Sequence, residues 1–407
     1  MDRGWAVPCK GLTICRRPLA SLPGRMSRDP ALVAESHALA RAIERYRTLD
    51  ALHAAPEWPE LSARLARVLG ALRCYRPAAP PPPAKPDAPL KVVQWNIEHG
   101  NWYEQVETAL LKHPQLAGAD VLMFNEIDLG MARAGNRDVA GDLAQALGFY
   151  GVWTPLFLET TVGRDDDPRM AAGGTNQESL FGLAILSRWP FGEVRVVPLP
   201  SPLELQFDLE RMYGRHVALI AEVQRPGAPF LAVSAHLEVH RTRAHRDAQV
   251  KEIVEALRDE KRPIVFAGDW NTHTFDRGLW HTPFTGGASL LTWPTRALRS
   301  RLLRPDRGRL REPLFDRLRA HGFEWERWVD YEPTLELRLD RLDEVNALPQ
   351  WLRVAAARPL AWAERRGRLR LDWFAGRGWR GGRGRTVHGL DGPGRASDHA
   401  PIVAEFE

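Results

Sequence analysis

An α/β fold preceded by a pair of helices is the architecture this sequence predicts, on three observations. From Leu90 onward, short apolar runs alternate with stretches of helical periodicity, the texture of strands and helices layered on one another. Several of those runs end in Asn, Asp, Glu or His, so their ends can gather along one edge of a sheet. Ahead of them Pro77 to Pro89, PAAPPPPAKPDAP, removes backbone donors and favours an extended, semi-rigid linker, the clearest boundary in the chain.

The chain's 407 residues exceed one average domain, and 44% hydrophobic against 26% charged residues is enough for a sizeable core. The formal charge of +5 favours an anionic partner, although an Arg-rich composition accounts for it equally well. Cys9, Cys15 and Cys74 show no metal-type spacing and suit a reducing compartment. Met1 to Arg28 has no continuous apolar core, and no run approaches bilayer-spanning length. A soluble, cytoplasmic protein is expected, with residues 1–30 disordered.

The elements follow in order. Leu32, Leu39, Ile43 and Tyr46 share one helical face, as do Leu61, Leu65, Val68, Leu69 and Leu72, with Pro56 and Pro59 between them. Residues 31–76 therefore read as a helical hairpin, and 77–89 as the linker. The domain beyond, 90–407, has strands at Lys91–Asn96, Asp120–Phe124, Ser179–Ser187, Val217–Val223, Phe230–Ala235 and Pro401–Ala404. Helices are expected over Trp102–Lys112, over Asp138–Leu147 opened by Asn136, and over Thr242–Arg258.

The most informative stretch is Pro263–Thr272, PIVFAGDWNT. Ile264 to Ala267 read as a buried strand, and residues two apart share a face, so Asp269 and Asn271 can meet one ligand while Trp270 turns away. Alone, this is an ordinary polar turn as readily as a site. Its weight comes from the other strand ends: Asn96 and Glu98 after VVQW, Glu126 after VLMF, His236 after FLAVSA, Asp372 after RL, and Asp398–His399 before the last strand. Glu98, Glu126, Asp269 and Asp398 offer carboxylates, with Asn96 and Asn271 as neutral oxygens and no cysteine, a set that favours Mg²⁺ or Mn²⁺ over structural zinc. With Asp372 to orient it, His399 could donate to a developing negative charge, and His236 could add a second donor. Hard metal, carboxylate base and imidazole donors together suggest metal-assisted hydrolysis of a phosphate ester.

Asn96 in QWNIEHG, Glu126 in NEID, His236 in SAHLE, Asp269 and Asn271 in GDWN, Asp372 in RLDW and Asp398–His399 in SDH resemble the ordered motifs of the endonuclease/exonuclease/phosphatase superfamily. The resemblance implies a four-layer α/β/β/α sandwich of two mixed sheets with flanking helices. It implies Glu126 as principal metal ligand, Asn96 and Glu98 near the metal or phosphate, and Asp269 as the base for water. Asn271 would hold the phosphate, His236 and His399 would stabilise the pentacoordinate charge, Asp372 would orient His399, and Asp398 would touch the metal or orient a histidine.

Two positions depart from that pattern. Leu183 stands where many members carry Asn, and Glu98 where several carry Asp. Between Asn271 and Asp372 lie about a hundred residues, more than a compact member of the fold needs, so an insertion is expected over about 275–368. It holds Trp280, Trp293, Trp325, Trp328, Trp351 and Trp362 and the basic stretch Arg296 to Arg311, which read as a phosphate-binding surface or as solvated charge over core tryptophans. Gly376 to Arg385, GRGWRGGRGR, reads as a mobile loop beside the site more readily than as a grip for anions. Arg137 reads as a phosphate contact or a surface residue by a helix cap. The functional expectation is a phosphodiesterase or nuclease, with nucleic acid slightly favoured by the charge; the rivals are a non-catalytic binding module and a phospholipid or inositol phosphate phosphoesterase.

Overall fold

The computed structural model describes residues 13–15, 29–79, 81, 88–164, 166–279, 281–337, 349–391 and 395–407. Of the N-terminal stretch expected to be disordered, only 13–15, 29 and 30 fall in this range, and most of the expected linker lies outside the described residues.

Sixteen strands are described, in chain order β1 (Thr13–Cys15), β2 (Arg73–Tyr75), β3 (Leu90–His99), β4 (Val121–Leu129), β5 (Tyr150–Glu159), β6 (Leu180–Ser187), β7 (Phe191–Pro198) and β8 (Met212–Gly214). They continue with β9 (Val217–Val223), β10 (Phe230–Ala235), β11 (Ile264–Asp269), β12 (Leu335–Glu336), β13 (Arg368–Leu369), β14 (Asp372–Arg377), β15 (Gly382–Thr386) and β16 (Ile402–Phe406). One sheet runs β15-β16-β3-β4-β6-β5-β2 with β8 beside β5, and the other runs β1-β7-β9-β10-β11-β14. Both are mixed: β3 with β4 and β10 with β11 are parallel, and the other pairs within these sheets are antiparallel.

Side-chain alternation turns the two sheets into layers. Along β11, Val265 and Ala267 face the core between the sheets, while Ile264 and Phe266 face outward under the helices Arg243–Ala256 and Leu314–Ala320. Along β3, Val92 points to the intersheet core, and Val93, Trp95 and Ile97 point out to the opposite helical layer. Each such aliphatic side chain contributes roughly 1.5–3 kcal/mol on burial, against about 0–1 kcal/mol for a surface ion pair, so these three cores hold the layers together. The expected four-layer sandwich is therefore the observed one.

Three expectations change. The segment 31–76 holds three helices, Pro30–Glu44, Leu49–His53 and Trp58–Leu69, followed by β2, rather than a two-helix hairpin. Thr48 starts the extra helix by accepting from the Ala51 amide. Leu39, Ile43, Leu52, Leu61 and Val68 share one buried cluster with Trp95 and Phe124, and β2 pairs with β5, so this segment forms part of the layer over the larger sheet.

The long insertion is likewise composite. Leu314, Phe315, Phe323 and Trp325 belong to the core over β11, whereas helices Thr282–Thr292, Thr295–Leu303 and Gln350–Glu364 border a small cluster of their own around Leu290, Leu298, Leu302 and Ala363. Trp325 and Trp328 are buried, Trp351 and Trp362 are exposed, and Trp280 lies outside the described residues. The stretch Gly376–Arg385 is no loop beside the site. It is the end of β14, a turn and the start of β15; Arg377 pairs with Ile264 and Gly382 with Phe406, at the end of the sandwich opposite Asp269.

Candidate active site

At the other end, the C-terminal ends of β3, β10 and β11 and the N-terminal ends of β14 and β16 converge, with β4 contributing from mid-strand. The larger sheet brings Asn96, Asn125, Glu126 and His399, and the smaller brings His236, Asp269, Asn271 and Asp372. Hydrogen bonds stitch the two halves together. The Asp269 amide donates to Asn125 Oδ1 at 2.6 Å, Gln94 Nε2 donates to Asn125 Oδ1 at 3.1 Å and Asp372 Oδ1 at 3.0 Å, and His399 Nδ1 meets Asp372 Oδ2 at 2.8 Å.

Asp269 lies at the centre and is 2% exposed. Its Oδ2 is 3.6 Å from His236 Nε2 and 3.7 Å from His399 Nε2, and it accepts from Asn96 Nδ2 at 3.2 Å. Its Oδ1 accepts from the Asn271 amide at 2.9 Å, while Trp270 turns into the outer core. Asn271 Nδ2 donates to the Leu237 carbonyl at 2.8 Å. Glu126 Oε1 accepts from Asn96 Nδ2 at 2.9 Å and lies 3.9 Å from His236 Nε2.

Burial, and then the neighbouring Asp372 charge, push the Asp269 carboxyl above its ordinary value, a direction that suits a proton acceptor. Burial pushes His236 down to about 4, so it is a neutral imidazole with one N–H to donate. Burial opposes a charged His399 too, but Asp372, with Asp269 and Asp398 behind it, holds its pKa well above the usual histidine value. The two imidazoles expected to act alike are thus in different charge states.

The backbone is strained where the chemistry would sit. Glu98, His99, Glu126 and Asn271 have φ of 46°, 67°, 50° and 48°, each costing on the order of 1–3 kcal/mol. Gly268 is needed for another reason: a Cβ there would lie 1.8 Å from the Ala235 carbonyl oxygen of the adjacent strand. Gly268→Ala should push β10 from β11, cost roughly 2–3 kcal/mol, and separate His236 from Asp269. Chemical denaturation together with turnover would show activity falling further than the folded fraction; an unaltered midpoint would contradict the steric account.

The donor set fits a hard divalent cation. Glu126, His236 and Asp269 each offer an atom within 4.8 Å of the others, as do Asp269, Asp372 and His399, and carboxylates this close are best offset by positive charge. Glu98 and Asp398 fall in neither group, and Asp398 Oδ1 faces Ser397 Oγ at 3.4 Å. Asn96 turns its amide nitrogen to the carboxylates and its oxygen to the Glu98 amide at 3.1 Å, so here it braces Glu126. Arg137 is not brought to this cluster: Glu104 at 2.8 Å, Asp142 and the Tyr103 ring hold it on the surface. The helix after it is Val139–Leu147, capped by Asp138 rather than Asn136.

The Endonuclease/Exonuclease/phosphatase family profile matches residues 93–399, which takes in every site side chain from Gln94 to His399. The chain belongs to the endonuclease/exonuclease/phosphatase family. Members of this family are hydrolases acting on phosphate esters. No curated protein matches the chain. Among solved structures, an endonuclease/exonuclease/phosphatase from Beutenbergia cavernae DSM 12333 is 17% identical, with 79% of this chain and 72% of that one covered and a TM-score of 0.44. The human Nocturnin catalytic domain is 16% identical (83% and 96% covered, TM-score 0.42), and sphingomyelinase C from Streptomyces griseocarneus 14% (78% and 99%, TM-score 0.41).

In this family member several site residues escaped the sequence reading. Gln94 joins the sheets together with Asn125, the residue before Glu126 at the end of VLMF, and the signal for Gln94 was a polar residue next to the apolar run Val92–Val93 and Trp95. Thr334, far away in sequence, holds the Asp372 backbone through Oγ1, accepting from the Leu371 and Asp372 amides at 3.0 and 3.2 Å. His99 sits between Glu126 and Asp128, 3.6 Å from each. Burial and the Arg133 charge oppose its protonation, yet Asp128 and Glu126 push its pKa up to about 10.

Proposed function

We propose that this chain is a divalent-metal-dependent phosphodiesterase in which Asp269 takes the proton of the attacking water. The observation that carries this reading is the buried Asp269 carboxylate set between His236 Nε2 and His399 Nε2. Glu126 would hold a magnesium or manganese ion, with Asn96 bracing the Glu126 carboxylate, and the ion would supply charge to offset the phosphoryl oxygens.

The chain's own groups do the rest. Asn96 Nδ2 on Oδ2 and the Asn271 backbone amide on Oδ1 orient the Asp269 carboxylate, whose Oδ2, 3.6 and 3.7 Å from the two imidazoles, takes the proton on its remaining lone pair. His399, charged through its bond to Asp372, donates from Nε2 to a phosphoryl oxygen as negative charge builds, and neutral His236 offers a second N–H. Asn271, two residues beyond the base, would hold the same phosphate through the second hydrogen on Nδ2, the first being donated to the Leu237 carbonyl.

Hydrolysis of a bis-aryl phosphodiester by the purified chain, assayed with Mg²⁺, Mn²⁺ or EDTA, tests the proposal. Turnover that needs the metal and is lost in His399→Ala is expected. Equal turnover in EDTA would refute metal dependence, and direct Mn²⁺ titration against Glu126→Ala distinguishes an inactive metal site from a module that only binds.

The pH profile is a second check. Because the His399 pKa is raised in the folded protein, activity depending on its proton is present at lower pH and is lost as pH rises through that value. Asp372→Asn removes the largest of the carboxylate charges that oppose burial, so the alkaline limb of kcat should move to lower pH. A limb that stays in place would assign it to another group.

A further inference from the structure

Helix Gln350–Glu364 carries its apolar side chains on the wrong face for a globular protein. Trp351, Val354, Arg358 and Trp362 are spaced i, i+3, i+7 and i+11, which places them on one stripe. Trp351 is 70% exposed and Val354 72%, while the opposite side, through Leu360 and Ala363, packs into the small cluster with Leu290 and Leu302. Beside it, helix Thr282–Thr292 exposes Leu291. Charge accompanies these apolar groups: Arg358 lies on the stripe, Arg365 follows the helix end on the same side, and Arg296 and Arg299 on Thr295–Leu303 are exposed.

Three occupants could cover such a face, and the residues discriminate among them. A second copy would set arginine against arginine across a symmetric contact, a like-charge arrangement that opposes pairing. A nucleic-acid strand would use the arginines and stack on tryptophan, but it gives exposed Val354 and Leu291 nothing to bury against. An anionic lipid surface uses every part: aliphatic and indole groups enter the headgroup boundary, and arginines pair with lipid phosphates.

This face is joined to the candidate active site through its small cluster. The Arg370 amide, two residues before Asp372, donates to the Leu302 carbonyl at 3.1 Å, and Leu335, which packs on that cluster, bridges to His399. We infer that the platform formed by Thr282–Leu303 and Gln350–Glu364 docks the protein on an anionic lipid surface. Docking holds the strand ends bearing Asp372 and His399 beside that surface.

Co-sedimentation of the full chain with vesicles, done in EDTA, tests docking without any reliance on catalysis. Phosphatidylcholine vesicles containing phosphatidylglycerol should retain the protein at low salt, and pure phosphatidylcholine should not. The double variant Trp351→Ala, Val354→Ser should lower the partition coefficient at least about tenfold, and Arg358→Glu should weaken binding most at low ionic strength. These side chains are exposed, so an unchanged thermal midpoint will show that the variants fold. Absence of anionic-vesicle binding, or binding unchanged in both variants, overturns the inference. Loss in the same variants of single-stranded oligonucleotide binding or of concentration-dependent self-association, with vesicles ignored, would overturn it in favour of nucleic acid or of a second copy.

Discussion

Asp269→Asn should lower kcat on an aryl phosphodiester by on the order of 10³-fold while leaving the protein folded. The carboxylate is the one group that both histidines and Asn96 converge on, so an amide in its place keeps the shape and removes the proton acceptor. Stability should change little. A buried charge next to Asp372 disappears, which is favourable, and the hydrogen bond from Asn96 is lost, which is not. Steady-state kinetics together with a thermal scan decide the matter: a variant within tenfold of the parent would remove Asp269 as the base.

The second large effect lies next to the site. Arg133 is buried and donates to Asp128 at 2.7 and 2.9 Å and to Glu159 at 2.6 and 3.0 Å, with Asp167 at 3.1 Å. Truncation by Arg133→Ala would strand buried carboxylates and should cost about 3–5 kcal/mol. Burial alone would raise the Asp128 pKa, but Arg133 and His99 hold it below the usual range. A depressed carboxylate gives stability that is present above its unfolded pKa and lost as pH falls through the folded one. The variant should therefore lose this contribution near neutral pH, and its stability should fall less steeply on acidification. Denaturant midpoints across a pH series would reveal it. Through His99 the same change should loosen Glu126, so metal affinity should fall as well.

The layered architecture was legible because it rests on a local property. Strands such as Val217–Val223 and Phe230–Ala235 alternate or run apolar over their whole length, and the expected boundaries coincide with those observed. The strand ends carrying Asn96, Glu126, His236, Asp269, Asp372 and His399 were readable for the same reason. Less was visible where the decisive contact is distant in sequence. Nothing near Leu39 or Val68 says that their helices cover Trp95, and nothing near Thr334 says that its hydroxyl holds Asp372. Gly376–Arg385 misled because glycine and arginine suggest a free loop, whereas pairing with β11 and β16 makes it strand. Different charge states for His236 and His399 depend on whether a carboxylate lies within hydrogen-bond distance, which composition cannot convey.

The candidate active site is divided between the two sheets, with Asn96, Asn125, Glu126 and His399 on one and His236, Asp269 and Asp372 on the other. Neither sheet carries a working half. An expanded state that kept its strands but let the layers slide by one residue would retain its secondary-structure spectrum and yet be inert. Under the proposed reaction, turnover would therefore gauge interlayer alignment, and warming or mild denaturant should silence it before the strands themselves dissolve.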